Sequence, residues 1–424
     1  MTAPTQLTLF GYEVGFGDCF LARFHYPDGA LRHVLVDFGS TKLPATKRPD
    51  HMVRIAEDIA AKCGGRLDLV VATHRHTDHI SGFATAADGN GPGDIIAKLD
   101  IGLVVQPWTE APDAPTNSDG PIGSAPHFAA HRESLDDMQA IAATLLTRFG
   151  AADTKGLTPA QRAELEFIAT DNLKNVSAVR NLMTLGGPGK QVYAYHGLPL
   201  DLSAVLPGVT VDVLGPPTLR QSQAIRQQRG ADAGEFWPLV APRLRRDAEI
   251  ATGDASLFPG HPTEPGNRLR MTARWFAGRV ARLRAEQMLG LVQSLDGQMN
   301  NTSLILLFAA GSKTLLFPGD AQLENWLYAL NNEFAPKLAA VDLYKVGHHG
   351  STNATPQSLW KQFAKRGNKT QPDRLTTVVS TLPGKHSQVP RASLLRALQA
   401  DSDFHSTDPA PAGALCIPIE IELR

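Results

Sequence analysis

The chain has 424 residues, of which 20% are charged and 42% hydrophobic, with a formal net charge of −1. That balance is ordinary for a folded globular protein and argues against a generally basic nucleic-acid binder, which would need a local basic patch. Only three cysteines occur, Cys19, Cys63 and Cys416, too few for a disulfide framework, and no apolar run is long enough to cross a bilayer. The expectation is therefore a cytoplasmic protein without a membrane partner.

In chain order, residues 7–14 and 18–25 read as a strand pair joined by Gly15-Phe16-Gly17-Asp18, and 33–37 as a third strand ending at Asp37. Residues 50–63 carry helical periodicity through Met52, Ile55 and Ile59, and lead to an apolar strand at 67–72. Strands followed by helix–strand units imply a mixed α/β fold. Between Gly91 and Met299 the pattern changes. Gly/Pro/Asp-rich stretches at 89–94 and 111–126 read as loops, and 131–149 and 158–185 as helical, the second opening on Thr158-Pro159. Strands follow at 191–195 and 209–214, an irregular stretch at 230–266 and a helix at 268–290. Regular alternation then resumes, with strands at 302–309, 314–318, 341–346 and 375–381 and helices at 322–334, 355–366 and 390–399. The segment 414–423 reads as an edge strand, because it contains Pro418.

The most informative stretch follows the strand 67–72. His74-Arg75-His76-Thr77-Asp78-His79 places three histidines and one carboxylate in six residues. Imidazole nitrogen and carboxylate oxygen are ligands that zinc and related metals prefer. On an extended segment His74, His76 and Asp78 would share a face, with His79 reached by a turn.

That motif resembles the signature of the metallo-β-lactamase fold hydrolases. Leu35-Val36-Asp37-Phe38-Gly39 is similar to their upstream strand-Asp-Gly element, Leu315-Leu316-Phe317-Pro318-Gly319-Asp320 to the strand ending in Gly-Asp, and Asp342 to Ser351 to the downstream His motif. Val14 to Leu21, Asn300-Asn301-Thr302-Ser303-Leu304 and Gly347-His348-His349-Gly350-Ser351 most resemble two branches of that superfamily. These are the soluble hydrolase domain of the DNA-uptake (ComEC-like) competence proteins and the bacterial phosphocholine esterases. The likeness covers about residues 7–100 and 298–424. It implies an αβ/βα sandwich of two mixed sheets flanked by helices, its halves at 1–100 and 298–424, with a long, mostly helical insertion at 101–297.

The resemblance also implies two divalent metal ions, zinc first, with manganese or iron as alternatives. One would sit on His74 and His76 and the other on Asp78 and His79, with Asp320 between them and Asp37 supporting the histidine loop. Taken alone, Asp320 reads better as a turn residue, a reading that its place downstream of the histidine motif reverses, and Asp37 reads equally well as a turn residue. Where relatives carry a Gly-His-Thr-like ligand motif, this chain has Asn300-Asn301-Thr302-Ser303. The replacement ligand is expected from His348, with His349 transferring a proton or contacting a substrate oxyanion; Asp78 and His349 are the expected catalytic pair. His386, after the strand 375–381, is the expected last ligand, against a plain reading as a loop histidine. Asn301 is a candidate substrate contact.

Arg270, Arg274 and Arg282 recur along one face of the helix 268–290, where they could bind phosphate or form a solvated surface. The expected activity is hydrolysis by a hydroxide held between two metals, of a phosphodiester or nucleic acid. The alternatives are a small-molecule lactone, β-lactam or ester hydrolase, and a non-catalytic binding protein on the same fold.

Overall fold

The apolar runs assemble into two mixed sheets in a computed structural model that describes residues 3–111, 176–226, 300–351, 355–382 and 389–424. All of these residues fall in one compact unit of the chain. The strands are β1 (Gln6–Tyr12), β2 (Cys19–His25), β3 (Leu31–Phe38), β4 (Arg66–Val71), β5 (Asp100–Pro107), β6 (Gln191–Ala194), β7 (Val209–Gly215), β8 (Ile305–Ala310), β9 (Lys313–Phe317), β10 (Leu343–Lys345), β11 (Thr376–Val379), β12 (Asp403–Ser406) and β13 (Cys416–Glu422). Seven of them form one sheet in the order β13-β1-β2-β3-β4-β5-β6, and six form the other in the order β12-β11-β10-β9-β8-β7.

Each sheet is antiparallel on one side and parallel on the other. In the first, β13, β1, β2 and β3 pair antiparallel and β3 to β6 parallel. In the second, β7, β8 and β9 pair antiparallel and β9 to β12 parallel. The period-2 alternation of strand side chains sorts the apolar residues into layers. Leu9, Phe20, Val36 and Val71 of the first sheet share a core with Val211, Leu306, Phe317 and Val378 of the second. On the outer face of the first sheet, Leu21, Leu35, Val70 and Val104 meet Ile55, Ile59, Ile96 and Leu182. Those residues come from the helices His51–Lys62, Pro92–Ala97 and Val176–Thr184. On the outer face of the second sheet, Leu307, Leu316, Tyr344 and Val379 meet Trp326, Leu338, Leu359 and Leu398. These lie on the helices Leu323–Leu330, Ala335–Leu338, Gln357–Gln362 and Ala392–Asp401. Burial of each such side chain contributes about 1.5–3 kcal/mol. The architecture is thus a mixed α/β fold, two sheets face to face with helices on both outer surfaces.

Several elements differ from the sequence reading. Strand β5 was not expected, and β6 and β7, expected as strands at 191–195 and 209–214 within the insertion, join it in completing the two sheets; β5 does so because Val104 and Val105 are buried on opposite faces. The stretch 89–94, read as a loop, runs into a helix, Pro92–Ala97, with Pro92 in its first turn and the Asp94 carboxylate accepting from the Gly91 N–H. The expected helix 322–334 is broken at Asn331. Strand β13 does lie at a sheet edge, where Pro418 removes no needed donor. The helices expected at 131–149 and 268–290 lie outside the described residues, as does most of 158–185. No helix among the described residues is long and apolar enough to cross a membrane.

Parallel strands β3, β4, β9, β10 and β11 all run out of their sheets toward the same region. The end of β3 carries Asp37, and the segments that follow the others carry Thr73 to His79, Asp320, His348-His349 and Ser380. In open α/β sheets this carboxyl end of the strands is where ligands bind.

Candidate metal centre

Strand β4 ends at Val71, and the chain turns through Thr73 to a one-turn helix, Thr77–Ile80, that begins after His76. The extended geometry expected through Asp78 therefore stops at His76. The helical turn carries Asp78 and His79 instead, because the His79 and Ile80 N–H groups both bond the His76 carbonyl. His74, His76, Asp78 and His79 are all buried. His74 Nε2 lies 3.0 Å from His76 Nδ1, and the His74 and His79 rings are 4.1 Å apart.

Three groups of ligand atoms among the described residues come within 4.8 Å of one another, and two of them share Asp78: His74, His76 and Asp78, and Asp78, His79, Asp320 and His349. Asp78 belongs to both. Either group could hold a metal ion. In the second, His79 Nε2 lies 3.1 Å from Asp320 Oδ1, and His349 Nε2 lies 2.9 Å from Asp78 Oδ2. The site also retains buried polar atoms without a hydrogen-bond partner among the described residues, Asp78 Oδ1 and His79 Nε2 among them. Buried polar atoms are almost always satisfied, so two orphans in one ligand group fit a cation. The mixed nitrogen and oxygen donors suit zinc, manganese or iron.

Asp37 orients this loop. Its Oδ1 accepts the Thr73 N–H (2.7 Å), and its Oδ2 accepts the Thr73 hydroxyl (2.7 Å) and the His79 Nδ1–H (2.8 Å). The proton on Nδ1 leaves the His79 Nε2 lone pair facing the cluster. The Ser380 carbonyl does the same for His349, accepting its Nδ1–H at 3.0 Å. Phe16 packs on the His349 ring, with centroids 4.5 Å apart.

The sequence assigned the metal to His348, but the geometry brings His349 into the second ligand group. The expectation placed both at a strand end with His348 inward, but both adopt left-handed backbone, φ 44° and 53°. That turn directs His349 into the second group, fully buried, and leaves the His348 side chain 23% exposed at the rim, with Nε2 3.7 Å from Asp320 Oδ2. Four non-glycine residues among those described have positive φ, and three of them, Asp37, His348 and His349, surround the cluster. Such strained backbone concentrates at functional sites. The Asp320 carboxylate holds the turn by accepting the His348 N–H at 3.1 Å.

The electrostatics favour positive charge. Burial pushes His74 well below the ordinary histidine range, and His76 to about 4, so both are neutral donors. For His79 and His349 burial acts the same way but is outweighed by nearby carboxylates, Asp320 foremost, and both are raised. Asp78 and Asp320 are held below the usual carboxylate range by the histidines despite their burial. Asp37 is raised, because its burial outweighs the pull of His79.

Other expected site residues fare differently. Asn301 is fully buried and donates to Glu324 Oε2 at 3.2 Å, tying its loop to the helix Leu323–Leu330. His386, Arg270, Arg274 and Arg282 lie outside the described residues. His196 is a core histidine, with Nδ1 donating to the Leu214 carbonyl. Sequence reasoning missed Thr73, Ser380 and Lys345. The signal for Lys345 was present, a lysine inside the apolar run Leu343 to Val346.

Comparison with known proteins returns no matching protein family and no matching curated protein.

Proposed function

We propose that the cluster is the metal centre of a metal-dependent hydrolase on a metallo-β-lactamase fold, acting as a phosphodiesterase or nuclease. The observation that carries this reading is Asp78. It is shared between the His74–His76 group and the His79–Asp320–His349 group, the arrangement expected of two adjacent divalent ions. Bound ions would supply Lewis acidity, lowering the pKa of a water and neutralising oxyanion charge.

The protein's own residues have separable parts in this scheme. Asp37 and the Ser380 carbonyl hold the protons of His79 and His349 on Nδ1, so that both Nε2 atoms stay turned to the cluster. His348, at the exposed rim beside Asp320, takes the proton-transfer role that the sequence reading gave to His349. The phosphodiester substrate rests on the resemblance of the Gly-Phe-Gly-Asp, Asn-Asn-Thr-Ser and Gly-His-His-Gly-Ser runs to the competence-type hydrolases. A small-molecule lactone, β-lactam or ester hydrolase is the second reading, since the net charge of −1 argues against a generally basic nucleic-acid binder.

The test is elemental analysis of the purified protein, followed by hydrolysis of bis(p-nitrophenyl) phosphate, single- and double-stranded DNA, RNA and lactones with zinc or manganese. The expected result is bound metal and chelator-sensitive phosphodiester hydrolysis. Lactone turnover alone would select the second reading, and bound metal without turnover would leave a binding protein.

A further inference from the structure

Lys345 is the only lysine or arginine buried among the described residues. On β10, Leu343 faces the core between the sheets and Tyr344 the outer core. Alternation therefore turns Lys345 inward with Leu343, at the strand end where the metal cluster lies. A buried ammonium needs a partner. Its partner is Asp18, 0% exposed, which comes from the loop between β1 and β2 in the other sheet.

The side chains of this pair reach the Asp78–His79–Asp320–His349 group, and the Asp18 N–H also bonds the carbonyl of Asp78, the residue that both groups share. Lys345 Nζ lies 3.8 Å from Asp320 Oδ1 and donates to the Gly319 carbonyl at 3.4 Å. Asp18 lies 3.6 Å from His79 Nδ1 and 3.6 Å from His349 Nδ1. Three of the four members of the Asp78–His79–Asp320–His349 group are thus in reach of the pair. Asp18, Asp37 and His79 are themselves close enough to hold an ion, but the Lys345 ammonium already sits against Asp18.

We propose that Lys345 and Asp18 form a buried strut between the sheets that positions Asp320, His79 and His349, making both positioning residues for cation binding at that group alone. This rests on the metal-centre reading above. The ammonium is the resident cation at Asp18 and holds Asp320 from the back. Asp18 in turn favours the Nδ1–H forms that leave each Nε2 free to ligate.

The test is zinc titration against a chromophoric chelator, on full-length wild type, Lys345→Met, Asp18→Asn and the double variant, with thermal melts as a check of folding. The double variant removes both charges and leaves no orphaned ion, so it keeps the experiment decisive if Lys345→Met fails to fold. Expected are two zinc equivalents in the wild type. In the variants one equivalent is weakened by about ten- to hundredfold and the other unchanged, with the double no worse than the poorer single because the pair acts as a unit. Folded variants that hold both equivalents with wild-type affinity would overturn the proposal, as would equal weakening of both. A wild type that takes up no zinc would overturn it together with the metal-centre reading.

Discussion

Asp37→Asn separates the support of the cluster from its stability. Asp37 is 1% exposed and receives three donors on two oxygens, the Thr73 N–H on Oδ1 and the Thr73 hydroxyl and His79 Nδ1–H on Oδ2. Asparagine has the same shape and tolerates the left-handed φ of 55°, but one of its two polar ends is a donor. If the amide oxygen stays on the Thr73 N–H, the NH2 faces His79 and forces its proton onto Nε2, into the ligand cluster. If the amide flips, two N–H groups oppose each other at Thr73. One buried hydrogen bond is lost either way, at about 1–3 kcal/mol. Because the fault reaches a ligand imidazole, metal affinity should fall by about 10–100-fold. Asp37→Ala should cost more stability, since it orphans three donors and places alanine at a positive φ. The assay pairs chemical denaturation with chelator competition for zinc. Wild-type zinc affinity in a folded Asp37→Asn protein would refute the reasoning, because His79 would then not depend on Asp37 for its tautomer.

Three further outcomes are expected. His349→Ala should lower metal affinity, while His348→Ala should retain the metal and lower turnover by about 10²–10⁴-fold; metal analysis and steady-state kinetics on both variants check this. Gly39→Ala would place a Cβ 2.4 Å from the Asp78 carbonyl carbon and 2.5 Å from the His79 nitrogen, so it should destabilise by about 1–3 kcal/mol and loosen metal binding, read by thermal melts and zinc titration. His33 is pushed down from 6.5 to about 4, by burial and then by Arg23, whose Nε donates to its Nε2. The unfolded chain therefore binds the extra proton between those values, and stability present above pH 6.5 is lost as pH falls toward 4, at up to about 1.4 kcal/mol per pH unit. His33→Gln keeps the acceptor and should flatten that slope in denaturation curves taken across the range.

The strands β1 to β4 and β8 to β11, and the residues His74, His76, Asp78, His79 and Asp320, were legible along the chain, because apolar alternation and ligand spacing are local properties. The edge position of β13 was legible for the same reason, from one proline. What the chain order could not decide was which of two adjacent histidines turns inward. That depends on a left-handed turn held by Asp320 and by the Ser380 carbonyl, 28 and 31 residues away in sequence. Likewise Lys345 lies on a strand of one sheet and Asp18 in a loop of the other, and a lysine in an apolar strand has no visible counter-charge until the sheets face each other. The partner of Asn301, Glu324, was not legible either, because it is contributed by a helix beyond the next two strands. Spacing specifies which ligands are available; the direction each side chain takes is set by hydrogen bonds and charges that only the packed sheets bring together.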